Sequence, residues 1–218
     1  ECLAENGPMG IMDLSAELGF HKSTTHRLVT SLQYMGYIRQ DEESLKYALS
    51  LKFLEIGSKI LEQTNMASLI HPSLKKLSEQ TGETVHLVRR EGTEAVYIDK
   101  VESTVSSIRM VSRVGSRIPL YCSGVGKALL AELPDPEIED IWNSSEITSL
   151  TPYTVTRLSD LMERIRAVRE AGFAMDDEEN EEGVRCIAVS IPDYHKEPVY
   201  ALSISSAPPA ADSAPCLP

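Results

Sequence analysis

The sequence predicts an α+β protein with a winged helix-turn-helix at its N-terminal end, a linker helix after it and a larger antiparallel-sheet domain. Two short helical patterns meet around Gly19, and two short extended runs follow around a polar turn before residue 50. Farther along, alternating apolar runs and helical patterns succeed one another without strict β-α-β order, which is typical of α+β domains. We therefore expect domains over 1–50 and 67–205, a linker helix over 51–66 and a disordered Pro/Ala-rich tail over 206–218.

The composition is that of an ordinary globular chain. It is 42% hydrophobic and 25% charged, and its 218 residues are enough for two cores. We find no apolar run of about 18 residues and no secretory leader, so we expect a cytoplasmic protein with no membrane contact. The cysteines at 2, 122, 186 and 216 stand far apart without a C-x-x-C pair, which argues against zinc ribbons and a disulfide framework.

The segment from Asp13 to Met35 has the pattern of two helices that cross at a tight turn. Ser15 is small enough for a helix contact, and Gly19 is free to take a positive φ at the turn. Leu28, Leu32 and Met35 follow at helical spacing, and we expect them to extend the buried side of the second helix.

The opposite side of this second helix carries short hydroxyls and cations that suit phosphates and base edges. Although the net charge of −12 argues against nucleic-acid binding, a local basic surface of this kind can supply the phosphate contacts. The predicted DNA-binding residues are Lys22, Ser23, Thr24, His26 and Arg27 on the helix and Arg39 and Lys46 in the wing. We expect Lys22 and Arg27 to hold phosphates and Ser23 and Thr24 to contact bases; the alternative is that these hydroxyls only cap and solvate an ordinary helix.

The segment Ser123-Gly124-Val125-Gly126-Lys127 invites comparison with a phosphate-binding loop. The Walker pattern requires a glycine where Tyr121 stands and a Ser or Thr where Ala128 stands, so we do not expect nucleotide hydrolysis. Instead, Ser123 is suited to cap a helix whose open N–H groups at Gly124 and Val125 offer a site for a carboxylate. The alternative is a plain capped helix.

The acidic run from Asp176 to Glu182 lacks the spacing and the glycine of a calcium loop, and charge runs are usually solvated. We therefore expect no metal and no cofactor. Neither a G-x-S-x-G elbow nor an H-E-x-x-H pair is present, so we do not expect an enzyme.

Three runs of the chain resemble the IclR family of bacterial transcription regulators. They are K-S-T-T-H-R-L over 22–28, I-P-L-Y-C-S-G-V-G-K-A-L-L-A over 118–131 and D-D-E-E-N-E-E-G-V-R-C-I-A over 176–188. The combination of R-M-V-S-R-V-G-S-R-I-P-L-Y-C with N-E-E-G-V-R-C-I-A-V looks most like the KdgR-type branch, which responds to 2-keto-3-deoxygluconate.

This resemblance implies a GAF/PAS-like effector domain and a homodimer or dimer of dimers that binds palindromic operators in double-stranded DNA. The leading interpretation is a repressor of a sugar-acid catabolic operon, controlled by a small keto acid; the alternative is an activator under the same control. The resemblance also implies that Asp176 turns toward the effector, and strand alternation then brings Cys186, Ser203 and Ser205 to the same site. The full set of predicted effector residues is Met110, Ile118, Gly124, Val125, Asp176, Val184, Cys186, Ser203 and Ser205. For Cys186 the alternative is a small buried apolar residue.

Two other functions stay open at this point. A pocket lined mainly by Met110, Ile118 and other apolar side chains would favour an aromatic or glyoxylate-like acid. A small-molecule sensor that uses its N-terminal helices to bind a protein instead of DNA is a rival from another class.

Overall fold

The computed structural model describes residues 1–63, 66–103, 112–192 and 198–206. The chain divides into two compact units, Glu1–Asn65 and Met66–Pro218. The predicted α+β class, with a helix-turn-helix unit followed by an antiparallel-sheet unit, is confirmed. Ser206, the first residue of the predicted tail, belongs instead to the last strand, and the rest of the predicted tail, from 207 onward, lies outside the described residues.

The N-terminal unit is a winged helix-turn-helix. Its elements are α1 (Cys2–Glu5), α2 (Ile11–Glu17), α3 (Lys22–Tyr34), β1 (Ile38–Gln40), β2 (Tyr47–Leu49) and α4 (Lys52–Gln63). Gly19 has a φ of +65° between α2 and α3, a left-handed conformation that suits glycine. The Ser15 hydroxyl donates to the Phe20 carbonyl at 2.5 Å across the same turn. Gly19 therefore has the conformation that the sequence predicts, whereas the hydrogen bond of Ser15 was not predicted.

The buried side of α3 differs from the prediction. Thr25 and Val29 are buried, whereas Leu28, Leu32 and Met35 are 45%, 40% and 48% exposed. The prediction of a buried stripe through these three residues was wrong, because α2 and the wing cover only the narrow Thr25/Val29 side of the helix. The three exposed side chains line an apolar groove within this unit.

The wing is a two-stranded antiparallel ribbon in which Arg39 pairs with Ala48. The Asp41 carboxylate closes its turn, since Oδ1 accepts hydrogen bonds from the Ser44 amide at 2.8 Å and the Ser44 hydroxyl at 2.6 Å. Leu45 follows with a φ of +56°. The acidic turn of the wing is thus an ordered structure.

The C-terminal unit is a six-stranded antiparallel sheet with helices on both faces. Its elements are α5 (Met66–Thr81), β3 (Thr84–Glu91), β4 (Glu94–Val101), β5 (Arg117–Pro119), α6 (Gly124–Ala131), α7 (Asp135–Ser144), α8 (Leu158–Ala171), β6 (Ala174–Asp177), β7 (Arg185–Ile191) and β8 (Tyr200–Ser206). The strand order is β5-β4-β3-β8-β7-β6. Both edge strands, β5 and β6, are too short to show a clear alternating pattern, which is why the sequence did not predict them.

Strand alternation divides this sheet into two faces with separate cores. One core contains Val88, Ala95 and Ala188 of the sheet together with α6, α7 and α8. The other contains Val85 and Leu87 against α5. Among the residues that the structure describes, every helix falls short of the length and apolarity of a membrane span.

Candidate functional site

The predicted DNA-binding residues of α3 lie on its outer side. Lys22, Ser23, His26 and Arg27 are exposed and Thr24 is half-buried. Lys22, Ser23 and His26 line one open depression at the start of the helix. The helix therefore presents its hydroxyls and cations together at the end that recognition helices use to reach base edges.

The two predicted wing cations, Arg39 and Lys46, are also exposed. Neither they nor Lys22 and Arg27 take part in an ion pair with a described residue, so all four charges are available to phosphates. The turn between the strands carries Asp41, Glu42 and Glu43, so this end of the wing is acidic.

In the C-terminal unit, the start of α6 is built as the sequence predicts. Ser123 caps the helix, because its Oγ accepts a hydrogen bond from the Gly126 amide at 3.1 Å while donating to the Pro119 carbonyl at 2.6 Å. A Cβ at Gly126 would collide with the Leu120 backbone, so this position requires glycine. The cap leaves the first amides of the helix, at Gly124 and Val125, without an intrahelical partner.

The sheet places several predicted effector residues directly opposite this helix end. A Cβ at Gly124 would lie 3.4 Å from the Asp176 Cβ and 3.5 Å from the Cys186 Cβ. Asp176, Cys186 and Ser205 form one row across β6, β7 and β8, and Ser203 lies in the next row on the same face. The Cys186 Sγ lies 3.0 Å from the Ser205 Oγ. The structure thus brings together Gly124, Asp176, Cys186 and the two serines.

Asp176 is a buried carboxyl group, 4% exposed. Its Oδ1 accepts hydrogen bonds from the Glu179 amide at 2.8 Å and the Asn180 amide at 3.4 Å. Burial raises the pKa of this carboxyl to about 6, while these amides and the Lys127 charge act in the opposite direction. Near neutral pH the group is largely ionised and is an acceptor for hydroxyl groups.

The thiols beside Asp176 are protonated. Burial, reinforced by the Asp176 charge, raises the pKa of both Cys122 and Cys186 to about 12. The Cys186 side chain is therefore a small, polarisable contact surface and a weak S–H donor rather than a nucleophile.

Two further predicted effector residues, Ile118 and Val184, stand apart from this group. Ile118 is 7% exposed and belongs to the core on the α6 face, where β5 pairs with β4. Val184 is half-buried and closes the turn before β7, since its carbonyl accepts from the Glu178 amide at 3.1 Å. Met110 lies outside the described residues.

One ion pair and one histidine of this region were not predicted. Lys127 and Glu179 form an ion pair of 2.5 Å in which both side chains are 1% exposed, although the acidic run was expected to be solvated. The second oxygen of Glu179, Oε2, is buried without a described hydrogen-bond partner. His86 is buried in β3 beside Ser203 and Ser205, and the signal that could have pointed to it is a histidine between the apolar residues Val85 and Leu87 of a predicted strand. Within the described ranges, no three His, Cys, Asp or Glu side chains are placed to hold a metal.

Comparison with known proteins assigns both units. Residues 1–42 match the IclR helix-turn-helix domain, and residues 58–210 match the C-terminal domain of the bacterial transcriptional regulator IclR. The chain is 37% identical over 205 residues to the HTH-type transcriptional regulator KdgR of Escherichia coli (strain K12), covering 94% of this chain and 78% of that protein. It is 36% identical over 208 residues to the transcriptional repressor IclR of the same strain, covering 94% and 76%. The crystal structure of Thermotoga maritima IclR has a TM-score of 0.72 at 34% identity, covering 92% of this chain and 81% of that one.

These two domains in one chain define a transcriptional regulator and not an enzyme, as predicted. The chain belongs to the IclR family of bacterial transcriptional regulators, which bind DNA operators and small-molecule effectors. Its identities to KdgR and to IclR are nearly equal, so overall similarity does not single out one branch of the family.

Proposed function

We propose that this protein is a repressor of a sugar-acid catabolic operon that releases its operator when a small keto acid binds to the C-terminal unit. A homodimer, or a dimer of dimers, places two copies of α3 on the half-sites of a palindromic operator. The protein acts where that DNA lies, in the bacterial cytoplasm. The relative named transcriptional repressor IclR supports the choice of repressor over activator.

The observation that carries the proposal is the set of polar groups that face one another across the start of α6. The open amides of Gly124 and Val125, at the positive end of the helix dipole, suit the carboxylate of the ligand. Asp176 cannot bind that carboxylate and instead accepts from ligand hydroxyls. The hydroxyls of Ser203 and Ser205 supply donors for keto or carboxylate oxygens.

This arrangement favours a polyhydroxylated acid over a purely apolar one. Burying a carboxylate such as Asp176 costs free energy unless a ligand or the protein satisfies its oxygens. A ligand with several hydroxyls does so, whereas pyruvate, glyoxylate or an aromatic acid offers few or none. The KdgR-type runs of the sequence support 2-keto-3-deoxygluconate as the particular acid.

Calorimetric titration with 2-keto-3-deoxygluconate, pyruvate, glyoxylate and a hydroxybenzoate tests the ligand. We expect Asp176→Ala to weaken binding of the sugar acid by roughly 10- to 100-fold and to leave pyruvate binding unchanged, because hydrogen bonds to a charged group are strong. Asp176→Asn keeps an acceptor for the Glu179 and Asn180 amides and controls for local unfolding. Binding of the hydroxybenzoate alone would assign the protein to an aromatic acid instead.

The DNA half of the proposal is tested by salt. Operators selected from genomic fragments are titrated with the protein between 50 and 200 mM salt, a range over which about 6–10 phosphate contacts cost roughly 10³- to 10⁵-fold in affinity. We expect a steep, linear loss of log affinity with log salt. An affinity that does not change with salt would identify a sensor that uses the N-terminal unit to bind a protein instead of DNA.

A further inference from the structure

His86 lies in the middle of β3 on the same sheet face as the predicted effector residues. It is 3% exposed and pairs in register with Ser203 of β8 and Lys100 of β4. Its ring packs at 59° to the Tyr97 ring, with centroids 5.2 Å apart, which holds the imidazole plane. The ring is therefore fixed in position and shielded from water.

Both ring nitrogens of His86 face hydroxyl groups. Nδ1 lies 3.3 Å from the Ser205 Oγ and 3.5 Å from the Ser203 Oγ. Nε2 lies 2.8 Å from the Ser112 Oγ. One imidazole thus joins the two serines of the predicted effector site to a third serine on the other side of the ring.

Burial, and after it the Lys100 charge, lowers the pKa of His86 to about 4, so the ring is neutral at pH 7. A neutral imidazole has one N–H donor and one acceptor nitrogen. The choice of nitrogen decides what the serines offer to a ligand. If Nδ1 carries the proton, it donates to the serine oxygens and leaves their O–H groups free to donate elsewhere. If Nε2 carries it, Nδ1 accepts a hydrogen bond from a serine O–H and that donor is lost to the ligand.

The surroundings favour the proton on Nδ1. The Lys100 ammonium donates to the Ser112 carbonyl at 2.8 Å on the Nε2 side of the ring and also pairs with the Glu102 carboxylate at 3.1 Å. Lys100 is 9% exposed and Glu102 is 63% exposed, so solvent screens the carboxylate more than the ammonium and the net field at Nε2 is positive. A positive charge there stabilises a lone pair at Nε2 and disfavours an N–H dipole. The Ser112 hydroxyl then donates to Nε2.

We propose that His86 is a positioning residue for the effector: as the Nδ1–H tautomer it accepts from Ser112 and turns the Ser203 and Ser205 hydroxyls toward the oxygens of an acidic ligand. The inference rests on the proposed function for the ligand class, since only an anionic or keto oxygen needs both donors. His86 itself does not touch the ligand. It determines whether the hydroxyls of Ser203 and Ser205, which do contact the ligand, act as hydrogen-bond donors.

Three variants separate this role from simple packing. In His86→Asn the amide N–H stands near the place of Nδ1 and still faces Ser203 and Ser205, whereas in His86→Gln it reaches the place of Nε2 and faces Ser112. His86→Leu keeps the volume and removes both contacts. We expect Gln and Leu to weaken binding of 2-keto-3-deoxygluconate and pyruvate by about 10-fold or more, and Asn to stay within a few-fold of the wild type. Unfolding followed by the fluorescence of Trp142 shows that each variant is folded.

The tautomer itself is read from long-range proton–nitrogen NMR spectra of the protein labelled with 15N-histidine, with the His86 signals assigned by their loss in His86→Asn. We expect the proton on Nδ1 in the free protein and in the complex. A proton on Nε2, or equal acid binding by the wild type, Gln and Leu variants, would overturn the inference. If the wild type binds none of the acids, the proposed function fails, and the tautomer measured in the free protein still decides whether His86 presents the serines as donors.

Discussion

The buried ion pair between Lys127 and Glu179 allows a sharp test of what stabilises the C-terminal unit. Both side chains are 1% exposed, and Nζ lies 2.5 Å from Oε1. Removing one member of such a pair leaves an uncompensated buried charge, which costs about 3–5 kcal/mol. Arg164, 54% exposed and 3.7 Å from the same oxygen, offsets part of this cost. We therefore expect Lys127→Met to lower the free energy of unfolding by about 3 kcal/mol.

The fluorescence of Trp142 measures this change. It is the one tryptophan of the chain and lies in α7 against Tyr121, with ring centroids 5.9 Å apart, so its signal reports on the C-terminal unit. At about 2–4 °C per kcal/mol, the melting midpoint should fall by roughly 6–12 °C. Arg117→Met is the matched control, because it breaks exposed ion pairs to Glu91 and Glu94 that contribute at most about 1 kcal/mol.

The double variant Lys127→Met/Glu179→Met completes the test. Replacing both members of a buried pair with apolar side chains of similar size is often neutral, so the double variant should recover most of the lost stability. The reasoning is refuted if Lys127→Met melts together with Arg117→Met, or if the double variant is less stable than Lys127→Met.

Three further predictions concern the two sites. The pKa of Asp176 is raised from 3.8 to about 6 in the folded state, so folding favours its protonated form and this contribution to stability is lost as pH rises from about 4 to about 6. In denaturant titrations over that pH range, the wild type should lose up to about 3 kcal/mol of unfolding free energy relative to Asp176→Asn. If the unfolding free energies of the two proteins change with pH in parallel, the pKa of the carboxyl is not shifted. Lys22→Ala and Arg27→Ala should each weaken binding to specific and random DNA alike and reduce the salt slope by about one unit, as measured by the fluorescence anisotropy of labelled DNA; loss of specific binding alone would make them base readers. Gly126→Ala should cost about 1–3 kcal/mol in thermal unfolding because its Cβ collides with the Leu120 backbone, and an unchanged midpoint would show that α6 shifts freely.

The local chemistry of this protein could be predicted from the sequence because it depends on neighbours in the chain. Gly19 at the helix turn, the polar turn of the wing and the Ser123 cap each follow from the conformational preferences of one or a few residues. The helices of the C-terminal unit follow from apolar periodicity, as do the long strands. The role of Asp176 was implied by the family resemblance, and strand alternation then placed Cys186 and the serines with it.

Tertiary structure decided which of these residues lose contact with water. From helical spacing alone, Leu28 and Val29 are equally suited to a core position. The positions of α2 and the wing decide that Val29 is buried and Leu28 is exposed. An acidic run is ordinarily solvated, yet Glu179 is buried because α6 brings Lys127 to it from 52 positions away in the chain. His86 meets Ser205 across 119 positions through the pairing of β3 with β8. No local pattern encodes such contacts, since they arise only when distant strands and helices close on one another and exclude water.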